Sequence, residues 1–350
     1  MEVTGSEVTA KSVDRLATTE MRFGGRADRG IIVPLYEAAC RKVGDRPLSL
    51  VAAERVLQEV KSGDNVVLIT GVAAMPYVPY GETDGPLGVA SLARAVRLGL
   101  GALPIIVTPP RDVEPTSRTV QAAGLNIMEY SEAKDTTVSA ATMVTFSAVE
   151  AEESKKLAAA IMAEYTPKLV VSVEVIGPNR KGVKHFSSGL PFEGSGKAAG
   201  VEHIFYEAAS RGILTVGCID QGNEIGSGTI EEEVRRIVPN ADVCRCPCGA
   251  GAACAVTADV TFPSAISNWG AYAITAMLGF LLNKPGILQD PYTERRMLEA
   301  CILARCVDGV TGQPAMSVDG VGYQAQEAFI TMLHTTIENA LSGLGVQRKK

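Results

Sequence analysis

A short β-branched run at residues 211–216 leads into Gly217-Cys218-Ile219-Asp220-Gln221-Gly222-Asn223-Glu224-Ile225-Gly226-Ser227-Gly228, and this passage constrains the fold more than any other. After it, Thr229-Ile230-Glu231-Glu232-Glu233-Val234 reads as a helix start, with Thr229 placed to cap and acids in the first turn, where the helix dipole favours negative charge. Strand, glycine-spaced loop and helix together make one half of a parallel β–α–β unit. The loop then falls at the carboxyl end of its strand, where open α/β sheets bind ligands. Glycine lets the backbone there turn sharply or approach a ligand closely. Asp220, Asn223 and Glu224, two carboxylates and an amide, suit a hard cation or acid–base chemistry.

The same order of elements recurs along the chain. Strands are expected at 65–71, 103–108 and 168–174 and near 258–262, and helices at 49–57, from about 87, and at 114–123, 151–165 and 201–210. Helices then dominate, at 268–282, 293–305 and 324–341, with Ser267 placed to cap the first of them. This alternation predicts an α/β fold: a mainly parallel sheet with helices on both faces, a three-layer sandwich with a helical C-terminal part. One domain at 24–341 is expected, preceded by a loosely ordered segment at 1–23 and followed by a tail at 342–350. Hydrophobic residues make up 46% of the 350 and charged ones 21%, enough to bury a large core and too apolar for disorder.

A net charge of −6 argues against nucleic acid and anionic membranes as partners. The longest apolar stretch, 271–282, is too short to span a bilayer. The first residues lack the basic start and apolar run of an export signal, so the eight cysteines read as reduced thiols and a cytoplasmic location is expected. The expected partner is a small carboxylated molecule, and self-association is left open.

Three predicted strand ends carry acids: Glu82 and Asp84, then Glu174, then Asp220 and Glu224. Five carboxylates in one cleft would repel one another unless some hold protons or a cation binds, and oxygen ligands favour Mg²⁺ or Mn²⁺. After Glu174, the segment Asn179-Arg180-Lys181-Gly182-Val183-Lys184-His185 offers Arg180 and Lys184 as clamps for a substrate carboxylate. His185 is the histidine nearest a strand-end loop, while His203 and His334 fall in helices and read as structural. Thr70-Gly71 opens a Gly/Pro loop but lacks a Gly-Lys-Ser/Thr ending and any G-x-G-x-x-G spacing, which argues against a nucleotide. Cys244-Arg245-Cys246-Pro247-Cys248 with Cys254 departs from the C-x₂-C spacing of common zinc sites, and alternate positions of a strand point to opposite faces. Free thiols beside a loop are the expectation there.

In combination these segments resemble the D-glutamate cyclase-like family. The resemblance rests on Thr70-Gly71, Glu82-Thr83-Asp84-Gly85-Pro86 with Gly88, Glu174, Asp220-Gln221-Gly222-Asn223-Glu224-Ile225-Gly226, Ser267-Asn268-Trp269-Gly270, Val307-Asp308-Gly309-Val310-Thr311 and Val318-Asp319-Gly320. It runs from about residue 24 to 341. Two positions depart from the family pattern: Gln221 stands where a glycine is usual, and Ser227 where methionine is common. The resemblance implies a lyase that converts D-glutamate to 5-oxo-D-proline and water, stimulated by a divalent cation. Fitted to that chemistry, Asp220 and Glu224, with Glu82 or Asp84, would hold the metal. Glu174 or Asp84 would act as general base, and Asn223 with loop N–H groups would face the oxyanion. Thr70, Gly71, Gly85, Gly222, Asn268, Trp269 and Asp319 would line the substrate site with Arg180 and Lys184. A lactam or cyclic-imide hydrolase (or hydro-lyase) on the same acids, and a non-catalytic binder of an acidic metabolite, stay open as alternatives.

Overall fold

The computed structural model describes residues 5–22, 29–192 and 198–347. Seven strands form one sheet among these residues: β1 Asn65–Ile69, β2 Leu103–Thr108, β3 Asn126–Ile127, β4 Ala140–Thr145, β5 Leu169–Val173, β6 Leu214–Ile219 and β7 Val260–Pro263. They pair in parallel throughout, in the order β3-β4-β2-β1-β5-β6-β7. The chain winds outward from β1 through β2 to β3 and β4, then returns to lay β5 on the other side of β1. The winding direction therefore reverses between β1 and β5, where the loops at the strand ends diverge and leave a crevice.

The helices are α1 Gly5–Ala17, α2 Ile32–Lys42, α3 Leu48–Glu59, α4 Pro86–Arg94, α5 Val113–Ala122, α6 Tyr130–Asp135, α7 Ala151–Tyr165, α8 Glu202–Ser210, α9 Glu231–Ile237, α10 Ser267–Leu281, α11 Pro291–Leu303 and α12 Tyr323–Gln347. Successive strand residues face opposite ways. Val66 and Leu68 enter the larger core with α1–α4, α10 and α12, while Val67 and Ile69 enter a second core with α7 and α8. The expected three-layer α/β sandwich with a helical C-terminal part is the observed fold. No helix among the described residues is long and apolar enough to cross a membrane. The long apolar helix α10 is buried along nearly its whole length instead, against α3, α4 and α12.

Several local expectations give way. Residues 5–17, expected to be loose, form α1, whose Ala10, Val13 and Ala17 are fully buried against α10 and α12. Residues 23–28 lie outside the described residues. Strand β6 runs on to Ile219, past the expected end at Val216. A single 3₁₀ turn, Gly228–Ile230, separates the central loop from α9. Thr229 therefore caps nothing; its hydroxyl donates to Ala258 O (2.8 Å) and accepts from Ala258 N (3.0 Å), clipping the loop to the lead-in of β7. Helix α12 continues through Gln347 into the segment expected as tail.

Candidate active site

The acids of the crevice come from four separate connections. Glu82 and Asp84 follow β1, Glu174 ends β5, Asp220 and Glu224 follow β6, and Asp308 and Asp319 come from the loops between α11 and α12. Glu82, Glu174, Asp220, Glu224 and Asp319, together with Ser187, Ser188 and Arg245, border a cavity of about 570 Å³, while Asp84 and Asp308 stand outside its lining. That volume suits a ligand of amino-acid size, the usual range for small-molecule sites being roughly 300–1,000 Å³.

Asp84 is held by three backbone N–H groups: Gly85 (3.0 Å) and Asn268 (2.8 Å) donate to Oδ1, and Ser267 (2.9 Å) donates to Oδ2. It thus closes the N-terminus of α10. Ser267 lies inside that helix and caps nothing; its hydroxyl donates to Glu174 Oε2 at 2.6 Å. Glu174 takes a left-handed backbone conformation, φ 50°, which redirects the chain as β5 ends and is uncommon for a residue with a Cβ. Glu224 accepts from Gln221 N (2.9 Å) and Gly222 N (2.7 Å), bracing its own loop. Asp308 accepts from Val310 N, Thr311 N, Ser317 Oγ and Gly320 N, which folds the two Val-Asp-Gly turns together. Gly309 leaves room for Glu82: a Cβ there would lie 1.6 Å from Glu82 Oε2.

Arg22 supplies positive charge. Its guanidinium pairs with Asp220, reaches Asp319 Oδ2 at 2.9 Å, and is anchored through Nε to Ala265 O. Among the described residues, Arg22 with Arg245 at the cavity lining does not balance this many acids. Burial, then Asp319, pushes Asp84 up to about 8. Burial raises Glu82 well above the usual carboxylate range, with Asp319 the next cause, and does the same to Glu174, with Glu224 the next cause. Burial also raises Glu224 and Asp319, against the pull of Arg22. One oxygen from each of Asp84, Glu174 and Asp220 lies within 4.8 Å of the other two, and among the described residues Asp220 Oδ1 is buried without a hydrogen-bond partner. Clustered carboxylate oxygens, one of them unpartnered, fit a hard divalent cation.

A family model described as "D-glutamate cyclase-like, C-terminal" matches residues 39–334. The chain belongs to the D-glutamate cyclase-like family. Over 139 residues it is also 30% identical to the human mitochondrial D-glutamate cyclase, a match that takes in 33% of this chain and 21% of that protein. The chain thus spans about a fifth of the length of this curated relative.

The family resemblance had pointed to residues that the fold distributes over three places. Glu82, Glu174, Asp220, Asn223, Glu224 and Asp319 line the cavity. Glu174, expected only as a base, belongs to the close triad of acids, whereas Glu82 and Glu224, expected as metal ligands, do not. Of the loop N–H groups expected at an oxyanion, those of Gln221 and Gly222 are taken by Glu224. One amide proton of Asn223 goes to His185 O (3.0 Å).

A second group lies under the site. Asn268 accepts from Gly85 N (2.8 Å) and Gly88 N (2.7 Å) and donates to Thr83 O (3.0 Å), so its side chain ties α4 to α10 and is not free for a substrate. Gly85, φ 102°, opens α4, with Thr70 Oγ1 only 2.3 Å from where a Cβ would sit; Thr70 itself is fully buried. Gly222 packs under Val234. Trp269, expected at the substrate, is fully buried, stacks on Phe329 and donates to Gln326 Oε1 (2.7 Å). A large ring at the third position of a buried helix packs the core.

The third group faces elsewhere. Arg180 is exposed and pairs with Glu231 (2.6 Å). Lys184 is buried, bound to Glu202 and Ala199 O (both 2.7 Å), and borders a smaller cavity of about 320 Å³ together with Gly71. Among the described residues the cations that reach the crevice are Arg22 and Arg245, neither of them an expected site residue. Arg22 sits in a polar stretch without periodicity. Arg245 stands among cysteines that drew attention to themselves.

Those cysteines are free, and Cys244, Cys246 and Cys248 converge with His185, while Cys254 lies apart, buried against Gly177. The alternation rule presumed an extended strand. The segment instead folds in bends and turns, so alternate side chains meet.

Proposed function

We propose that the crevice closes a lactam ring on a small acidic amino acid, converting D-glutamate to 5-oxo-D-proline and water. The observation that carries this reading is a cavity of amino-acid size in which Glu174, its proton affinity raised by burial, stands beside acids held by Arg22 and backbone N–H groups. Membership of the D-glutamate cyclase-like family supports it.

Ring closure forms a bond from the α-nitrogen to the γ-carbon and breaks a carbon–oxygen bond at that carbon. The two protons that leave the ammonium end in the released water. Glu174 is the group suited to carry them, since a carboxyl whose affinity is shifted toward neutrality can both take and return a proton. Ser267 Oγ holds its Oε2 in place. Arg245 at the rim would receive the α-carboxylate, and the second amide proton of Asn223 would face the oxygen that gains charge. Asp84 and Asp220 would hold a divalent cation, which would polarise the substrate carboxyl as a Lewis acid.

Turnover of D-glutamate by metal-stripped protein, with and without added Mn²⁺ or Mg²⁺, tests this reading. Activity restored by metal and cut by at least about 10²-fold in Asp220→Asn and Glu174→Gln is the expected result. No turnover of either enantiomer, with metal present, would overturn it.

One observation favours the same acids acting on a lactam or cyclic imide. Gln221, where a glycine is usual, borders the crevice with Oε1 buried and, among the described residues, without a hydrogen-bond partner. An unused amide acceptor matches a ring N–H donor. Hydrolysis of such rings in a product screen would establish that reading; ligand-induced thermal stabilisation without any turnover would leave a binding protein.

A further inference from the structure

We propose that His185, Cys244, Cys246 and Cys248 form a zinc site, separate from the acidic crevice, that fastens together the two loops walling it. One atom from each of the four residues lies within 4.8 Å of the other three. Cys244 Sγ is 3.5 Å from Cys246 Sγ and 3.3 Å from Cys248 Sγ, and His185 Nε2 is 3.2 Å from Cys246 Sγ and 3.7 Å from Cys248 Sγ. A tetrahedral zinc with bonds of about 2.3 Å to sulfur and 2.0–2.1 Å to nitrogen sets ligand separations of roughly 3.5–3.8 Å. Four of the six separations fall within about 0.5 Å of that range, and the other two are no more than 4.8 Å. The sulfurs stand too far apart for a disulfide, which needs about 2.05 Å.

The surroundings support ligation. His185 Nδ1 lies 3.1 Å from Val183 O, an atom that can only accept. The proton therefore sits on Nδ1, and the Nε2 lone pair faces the sulfurs, the arrangement that backbone carbonyls impose on zinc-bound histidines. Asn179 Nδ2 is 3.4 Å from Cys248 Sγ, a donor toward the thiolate, and the same side chain is fixed by Gly251 O (2.7 Å), Lys181 N and Val183 N. Lys181 Nζ donates to Cys248 O at 2.7 Å. Its charge offsets the single negative charge of three thiolates around Zn²⁺. His185 and Cys244 are buried and Cys246 and Cys248 half-buried, so the site is largely closed but reachable by an ion.

The ligands come from two loops, one after β5 and one after α9. The same loops meet through Arg245 N to Gly189 O (2.9 Å) and Asn240 Nδ2 to Ser187 O (3.3 Å). Ser187, Ser188, Asn240 and Arg245 are crevice wall, and His185 O holds Asn223. The bound metal would act on the crevice by position alone, since none of its ligands lines that cavity.

The test is protein produced in cobalt-supplemented medium and purified under reducing conditions, which avoids stripping the site. Thiolate-to-cobalt charge transfer with intense tetrahedral d–d bands is the expected spectrum, and in zinc medium one zinc per chain. The bands should vanish in Cys246→Ser and Cys248→Ser and persist in Cys40→Ser and in Asp220→Asn. A spectrum with only the weak bands of oxygen-bound cobalt would overturn the proposal, because the metal would then sit in the acidic crevice alone. Bands that survive both cysteine substitutions, or a Cys244–Cys248 disulfide in the reduced protein, would also overturn it. The result is independent of D-glutamate turnover.

Discussion

Arg245 and Arg180 lie on neighbouring loops, yet their surroundings assign them opposite importance. Arg245 borders the crevice and is steadied by Asn240 Oδ1 (3.2 Å), whereas Arg180 faces solvent and Glu231. Arg245→Ala should raise KM for an α-carboxylate substrate by about tenfold or more with kcat less affected, since a charged hydrogen bond made alike in ground and transition states is lost. Arg180→Ala should leave both constants within about twofold, because an exposed pair contributes little. Steady-state kinetics of the two variants decide the matter, and equal effects would remove Arg245 from substrate binding.

Between elements, the most sensitive junction is where α4 passes α10. Gly88 lets Asn268 approach: a Cβ would meet Asn268 Oδ1 and Val173 Cγ1, each at 2.8 Å. Gly88→Ala should therefore lower unfolding free energy by about 1–3 kcal/mol, read as a shifted denaturant midpoint. An unchanged midpoint would mean the two helices have slack. This junction also marks what could be read from the chain alone. β1, β2, β5 and β6 announce themselves through Val, Ile and Leu runs, and glycines with acids mark the loops behind them. β4 was missed because its first residues, Ala140-Ala141-Thr142, are too small and weakly apolar to register, although all three are buried. Asn268 was legible as a motif but not as a brace, since the hydrogen bonds that occupy it come from residues about 180 positions away. Convergence of Glu82, Asp84, Glu174, Asp220 and Glu224 followed from parallel topology alone. Which of them would share the close triad depended on side-chain directions that no spacing encodes.

For the molecule as a whole, buried acids set the response to pH. Asp84 is raised to about 8, Asp112 and Glu294 to about 7 and Asp14 to about 6, in each case chiefly by burial, and Glu174 is raised as well. Between the ordinary carboxylate range near pH 4 and these values the native state holds more protons than the unfolded chain. Stability from these groups is therefore complete below about pH 4 and is lost as pH rises through each native value, by up to about 1.4 kcal/mol per pH unit for each titrating group. Metal-free protein should melt at lower temperature at pH 8 than at pH 5. If the acids of the crevice hold a divalent cation as proposed, Mn²⁺ should narrow the gap, and Glu174→Gln should reduce it. A melting temperature that climbs from pH 5 to 8 without metal would contradict this account.

The wiring of Arg22 has a consequence for biosynthesis. This arginine is joined to Asp220, 198 residues downstream, and to Asp319, close to the end of the described chain. A ribosome makes Arg22 well before either of these acids. No nascent intermediate holds a finished crevice, however well its early strands have paired. Competence for ligand would then await the docking of the segment between α11 and α12, which brings Asp319 to Arg22.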